Sequence, residues 1–173
     1  MLIPVFVSCP TDLNAEQSSA QIFIYRELGK LGLQARTVGK TDYPASTPLL
    51  EVLQLARHCS GGLVLGFTQF ESKGGMWKRD TPREKAVKAA DRVNFPTPWN
   101  QLETGILFAL GLPQLVFREE GVVGGVFDPG AMDVFVHRMP TGTLKAQEKR
   151  AVREVLRKWS GKVQARYYET PSR

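Results

Sequence analysis

Trp99 and Glu103 lie four residues apart, and Ile106 follows the glutamate by three. In a helix those three side chains share one face. The stretch that carries them, "PTPWNQLETGILFALGLP" (96–113), reads as a helix opened by Thr97 and Pro98 and closed by Gly111 and Pro113. Leu102, Ile106, Leu107, Phe108, Ala109 and Leu110 make it apolar on nearly every side. A carboxylate set among side chains that seek burial costs several kcal/mol unless it is paired, neutralised or put to use. The plain alternatives for Glu103 are an ion pair with a lysine or arginine, or a solvated edge position.

Other residue types that could carry chemistry are sparse. His58 and His137 lie in unrelated segments and match no metal-ligand spacing, so no metal site is expected. Cys9 and Cys59 form no C-x-x-C pair and read as two buried thiols of a reducing compartment. "VGKT" (38–41) resembles the end of a phosphate-binding loop, but Gln34 stands where the first glycine is needed, and Pro44 follows too soon for the helix. "GVVGGVFDPG" (121–130) lacks the G-x-G-x-x-G spacing and has no helix behind it. No local signature of Ser/His/Asp or Cys/His catalysis is present.

The elements that must position these residues alternate. "LIPVFVS" (2–8) reads as a buried strand, followed by a helix from Asn14 or Ala15 to about Leu31. A second strand follows at 33–37, a turn-rich loop at 39–47, and a helix from Pro48 to His58. A glycine-bounded strand is predicted at 61–70. Residues 71–96 are charged and irregular, with one short helix predicted from Arg83 to Ala90. After the Glu103 helix come strands at 113–119 and 134–139, and a long helix from Leu144 to Tyr168. Strands alternating with helices imply βαβ crossovers and a mainly parallel, five-stranded α/β sheet with helices on both faces. Ligands of such folds are expected at the carboxyl ends of the strands, here near Ser8, Arg36, Phe67 and Phe117.

The 173 residues, 42% hydrophobic and 23% charged, suit one globular domain with a real core. No run approaches the roughly 18 apolar residues of a membrane span, and "MLIPVFVSCP" reads as a strand rather than a signal peptide. A cytoplasmic protein without membrane attachment is the resulting expectation. The net charge of +6 resides in the tail: residues 145–173 hold nine Lys/Arg against three Asp/Glu, and the remainder is neutral. Arg150, Arg153, Arg157 and Lys158 fall near one helical face, as a nucleic acid or an acidic partner would require. Leu144, Val152, Val155, Leu156 and Trp159 form a stripe suited to packing on the sheet, which is the preferred reading.

The chain resembles two related groups, Toll/interleukin-1 receptor (TIR) domains and nucleoside 2-deoxyribosyltransferases, both flavodoxin-like α/β proteins. "PVFVSCPTD" is similar to the first strand and polar loop of a TIR domain, and "GKTDYPASTPLLEVLQLARHCSGGLVLGFTQF" to its second box. Trp99 and Glu103 match the TIR pattern W-x-x-x-E. "LETGILFALGLPQLVF" is similar to the transferase pattern of a Glu, a Gly two residues on, and a Pro before a strand. The resemblance covers about residues 3–139. Asn100 stands where TIR domains often carry cysteine, the 71–96 segment has no counterpart, and the Asp-rich transferase loop is not intact.

The resemblance implies a domain over residues 1–140, with residues 141–173 as a basic C-terminal helix packed on it. It implies Glu103 as the catalytic carboxylate for cleavage or transfer at the N-glycosidic bond of a nucleotide or nucleoside. NAD is then a substrate rather than a cofactor, and no cofactor is required. Homo-oligomeric assembly is implied too, with some bacterial relatives acting in phage defence. The alternative on the same fold is a non-catalytic nucleotide-binding or TIR-type interaction module. Around Glu103, Ser8, Thr11 and Asp12 could bind sugar or base, or cap a helix. Arg36 and Lys40 could meet phosphates, or lie solvated. Asp42 could hold ribose hydroxyls or cap a turn. Phe67 and Trp77 could sandwich a base, with core packing as the alternative for Phe67, and Trp99 could stack or pack.

Overall fold

Ladders of backbone hydrogen bonds join five parallel strands in the order β2-β1-β3-β8-β9 in the computed structural model, which describes residues 2–39, 41–42, 47–88 and 90–169. These are β1 (Ile3–Ser8), β2 (Leu33–Arg36), β3 (Gly62–Gly66), β8 (Gln114–Arg118) and β9 (Val136–Arg138). Counted within the sheet alone, the order is 2-1-3-4-5, that of doubly wound folds. The helices are α1 (Ala15–Lys30), α2 (Pro48–Arg57), α3 (Pro98–Ala109) and α4 (Ala146–Glu169), and one 3₁₀ turn spans Gly125–Phe127.

Alternation along each strand divides the core into two layers. Ile3, Val5 and Val7 of β1, Leu63 and Leu65 of β3, and Leu115 and Phe117 of β8 face α1 and α4. The intervening Phe6, Val64 and Val116 face α2, α3 and the 3₁₀ turn. Ser8 lies two residues beyond Phe6, so it continues onto the α3 side. Asn14 caps α1 in a reciprocal box with Gln17, which sets the start predicted at Asn14 or Ala15. Gly62 lets α3 approach the sheet closely: a Cβ there would come 2.6 Å from Leu107 Cδ1.

The basic tail packs. Leu156, Trp159 and Val163 of α4 are buried in the core, and Trp159 Nε1 donates to the Pro113 carbonyl at 3.0 Å. Arg153 pairs with the buried Glu27 at 3.2 Å, and Arg157 pairs with Glu154 of its own helix at 2.9 Å. No helix among the described residues is long and apolar enough to cross a membrane.

Two expectations are corrected. The strand predicted to Phe70 stops at Gly66, because the Phe67 N–H turns back to the Leu65 carbonyl and the Thr68 N–H is taken by the Glu119 carboxylate. No helix forms from Arg83 to Ala90 among the described residues; β6 (Lys85–Val87) runs there instead, antiparallel to β5 (Gly75–Trp77). The segment is rich in helix formers, yet it is too short to be helical alone and offers no apolar stripe to bury. Cross-strand pairing satisfies its backbone. A second pair, β4 (Phe70–Ser72) and β7 (Val93–Phe95), flanks it, and neither pair joins the main sheet.

Candidate functional site

α3 begins at a cap that also orders the site. The Asn100 N–H donates to Thr97 Oγ1 at 3.2 Å, and the Thr97 hydroxyl donates to Asn100 Oδ1 at 3.2 Å. With Oδ1 so engaged, the amide's NH₂ is directed inward, where Nδ2 donates to Ser8 Oγ at 2.8 Å. Ser8, its oxygen already accepting, is left to turn its hydroxyl proton toward the Glu103 carboxylate, whose ionised form it favours. Ser8 and Asn100 are fully enclosed, and Thr104 below them donates to the Asn100 carbonyl at 2.5 Å. Four side chains thus form one directed chain, Thr97 to Asn100 to Ser8 to Glu103, every donor aimed toward the carboxylate.

The inward face of α3 runs through Asn100, Thr104 and Leu107, with Glu103 half-buried at its flank. Much of the helix's apolar surface points outward: Leu102 and Phe108 are exposed, and Trp99 is 42% exposed. Burial pushes the Glu103 carboxyl from its ordinary value of 4.5 up to about 7, against the opposing pull of the Ser8 hydroxyl. No salt bridge reaches Glu103 among the described residues.

Glu103 and Trp99 open onto a cleft of about 200 Å³ at the carboxyl end of the sheet, lined also by Cys9, Pro10, Thr11, Val38, Pro48, Val52 and Thr97. The loop after β1, the end of β2 and the first turns of α2 and α3 all meet there. Two helix N-termini turned to one cleft give it a positive backbone field suited to an anion. Trp99, Val38 and Val52 supply the apolar wall.

The structure brings together only part of the set read from the sequence. Thr11, Trp99 and Glu103 line the cleft, and Ser8 lies enclosed behind Glu103. Asp12 is exposed beside it, accepting from Thr11 Oγ1 at 3.4 Å. Arg36 and Asp42 bind one another through two hydrogen bonds, Arg36 Nε to Asp42 Oδ2 at 2.9 Å and Nη2 to Oδ1. That pairing lowers the Asp42 carboxyl below the usual carboxylate range, and it ties the loop after β2 rather than offering either charge to a ligand. Phe67 is fully buried core. Trp77 lies on β5, its ring tilted by 59° against that of Phe95 at 5.9 Å, and outside the cleft lining. Lys40 lies outside the described residues.

Asn100 is the participant that sequence reasoning missed. Its signal was faint: an Asn three residues after a Thr cap and three before the carboxylate. Cys9, half-buried, also lines the cleft and accepts from Gln21 Nε2 at 3.0 Å, and no disulfide joins it to Cys59. Among the described residues no group of three His, Cys, Asp or Glu gathers to hold a metal ion. Comparison with protein-family models, with curated proteins and with solved structures finds no match to this chain.

Proposed function

We propose that the cleft cleaves or transfers at the N-glycosidic bond of a nucleotide or nucleoside, with Glu103 as the reacting carboxylate. The observation that carries this is the placement of Glu103 at the mouth of an apolar cleft, held by a directed chain of neutral donors. Breaking an N-glycosidic bond builds positive charge on the sugar in an oxocarbenium-like transition state. An ionised Glu103 beside C1′ either attacks it, forming a glycosyl ester while the base departs with the bonding pair, or stabilises the charge until water or an acceptor base attacks. The Ser8 hydroxyl keeps the carboxylate in one orientation without neutralising it. A cleft of about 200 Å³ is below the roughly 300–1,000 Å³ of pockets that engulf a whole ligand. It suits the sugar and its glycosidic bond, with the remainder of the substrate lying along Trp99 and the helix N-termini.

The likeness of Trp99–Glu103 to the W-x-x-x-E pattern of TIR enzymes supports the same reading. Both NAD and deoxynucleosides stay in view as substrates. A pyridinium base such as nicotinamide leaves as a neutral molecule, needing no proton. Among the described lining residues only Cys9 and Glu103 carry an ionisable side chain, which favours NAD. Self-association belongs to the reading, supported by the exposed Leu49, Leu50 and Leu102 on α2 and α3.

Mass spectrometry of concentrated protein incubated with NAD, common deoxynucleosides and a free acceptor base tests the proposal. Nicotinamide release or base exchange by the wild type, lost in Glu103→Gln, is the expected result. Tight ligand binding without turnover in either protein would instead make the chain a nucleotide-binding module.

A further inference from the structure

The segment between β3 and α3 is built as a surface of its own. Its two ladders set Phe70 opposite Phe95 and Trp77 opposite Lys85, and directly opposed residues share a face of their ribbon. Phe95 lies between the other two rings, 6.4 Å from Phe70 and 5.9 Å from Trp77, so the three form one continuous run. That run is not covered: Phe70 is 62% and Trp77 41% exposed. Large rings clustered on an open surface mark a contact site more than scattered ones do.

Cations surround the rings. Residues 70–95 hold seven Lys/Arg against four Asp/Glu. Lys73 and Arg92 both approach Glu71, at 3.8 and 3.7 Å, and Arg79 approaches Asp80 at 3.8 Å. Lys78, Arg83, Lys85 and Lys88 make no ion pair among the described residues. Lys85 is the cross-strand neighbour of Trp77, so an unpaired cation stands beside the outermost ring.

A partner for this surface must bring negative charges at intervals and flat faces between them. Single-stranded nucleic acid does both. A duplex keeps its base faces stacked inside, and an acidic peptide brings charge without obligatory rings. We infer that the β4–β7 and β5–β6 ribbons form a stacking platform for single-stranded nucleic acid, with Phe70, Phe95 and Trp77 taking bases and Lys78, Arg83, Lys85 and Lys88 meeting phosphates. The platform is independent of Glu103. It does lie next to the cleft in the chain, since Phe95 leads through Pro96 into the Thr97 cap of α3.

Fluorescence anisotropy of the full chain with labelled dT₁₅ and U₁₅, and with a duplex of equal length, tests the inference. Both single strands should bind, and the comparison of the two tells whether the sugar matters. Affinity should fall with salt on a log–log slope of about −0.7 per phosphate met, about −3 for four contacts. Trp77→Ala should weaken binding by about 5- to 150-fold, the range expected for one stacked base. Trp77→Phe, which keeps a ring, should retain most of it, and Lys85→Ala should reduce the slope by about 0.7. Glu103→Gln should bind as the wild type does. The inference is overturned by absence of binding at 50 mM salt, or by a duplex bound as tightly as the single strands. It is equally overturned if Trp77→Ala and Lys85→Ala both bind normally while Arg150→Ala/Lys158→Ala on α4 does not.

Discussion

Replacing Glu103 by glutamine should make the protein more stable above neutral pH. The folded chain holds the Glu103 proton up to about pH 7, whereas the unfolded chain releases it near the ordinary value of 4.5. Between those limits the folded state binds more protons than the unfolded, so stability falls as pH rises. At about 1.36 kcal/mol for each pH unit, that interval is worth about 3 kcal/mol. The stabilisation is fully present below pH 4.5 and lost once pH has passed through about 7. Glutamine does not titrate and can still accept from Ser8, so its curve lacks this fall.

The assay is urea unfolding of both proteins at pH 4, 6 and 8. Any fixed difference between a carboxyl and an amide is the same at each pH, so the change in the difference isolates the titration. Asp42 and Glu27, whose carboxyls are lowered, contribute stability that is lost as pH falls through their folded values. That trend is opposite in sign and common to both proteins, so it cancels. Relative to their difference at pH 4, glutamine should gain about 3 kcal/mol at pH 8, or about 6–12 °C in Tm for a domain of this size. Parallel curves for the two proteins would refute the reasoning, because Glu103 would then ionise in the fold as freely as in water.

Two further predictions concern the machinery around it. If Glu103 must be ionised to react, turnover should rise with pH through about 7, and Ser8→Ala, lacking the hydroxyl that favours the ionised form, should move that rise to higher pH; an unmoved profile would remove Ser8 from the site. Gly62→Ala should cost about 1–3 kcal/mol in thermal or urea unfolding, because the new methyl meets Leu107 Cδ1 at 2.6 Å. By pushing α3 from the sheet it should also stretch the Asn100–Ser8 bond and lower kcat more than KM changes.

Glu103 was legible because it violated a pattern: an apolar helix with one carboxylate on it is conspicuous in a bare sequence. The strand alternation that faces Ser8 toward α3 was equally readable, since the sheet is buried on both faces. Asn100 was not readable. An asparagine near a helix start is ordinary, and its role depends on Ser8, 92 residues away. Arg36 and Asp42 looked like two ligand-binding groups because a sequence cannot show that they bind each other. The ladders of 70–95 escaped because strands of three residues are too short for any period to appear.

The absence of a cationic partner at Glu103, among the described residues, gives the site its chemical character. An arginine beside the carboxylate would hold its charge at little cost, lower its pKa well below neutral and weaken it as a nucleophile. A wholly apolar surround would keep it protonated. The Arg36 guanidinium, at the end of β2, is bound to Asp42. What remains is a single neutral donor, Ser8, oriented by Asn100, which is itself oriented by the Thr97 cap. A neutral donor fixes direction and moderates the effect of burial without supplying a compensating charge. The carboxylate is therefore half-ionised near pH 7, where a small change in its surroundings, such as the approach of a pyridinium sugar, is enough to complete its ionisation. On this argument a cationic substrate should lower the apparent pKa of Glu103 on binding and a neutral nucleoside should not. Proton release on ligand binding at pH 6.5 distinguishes them.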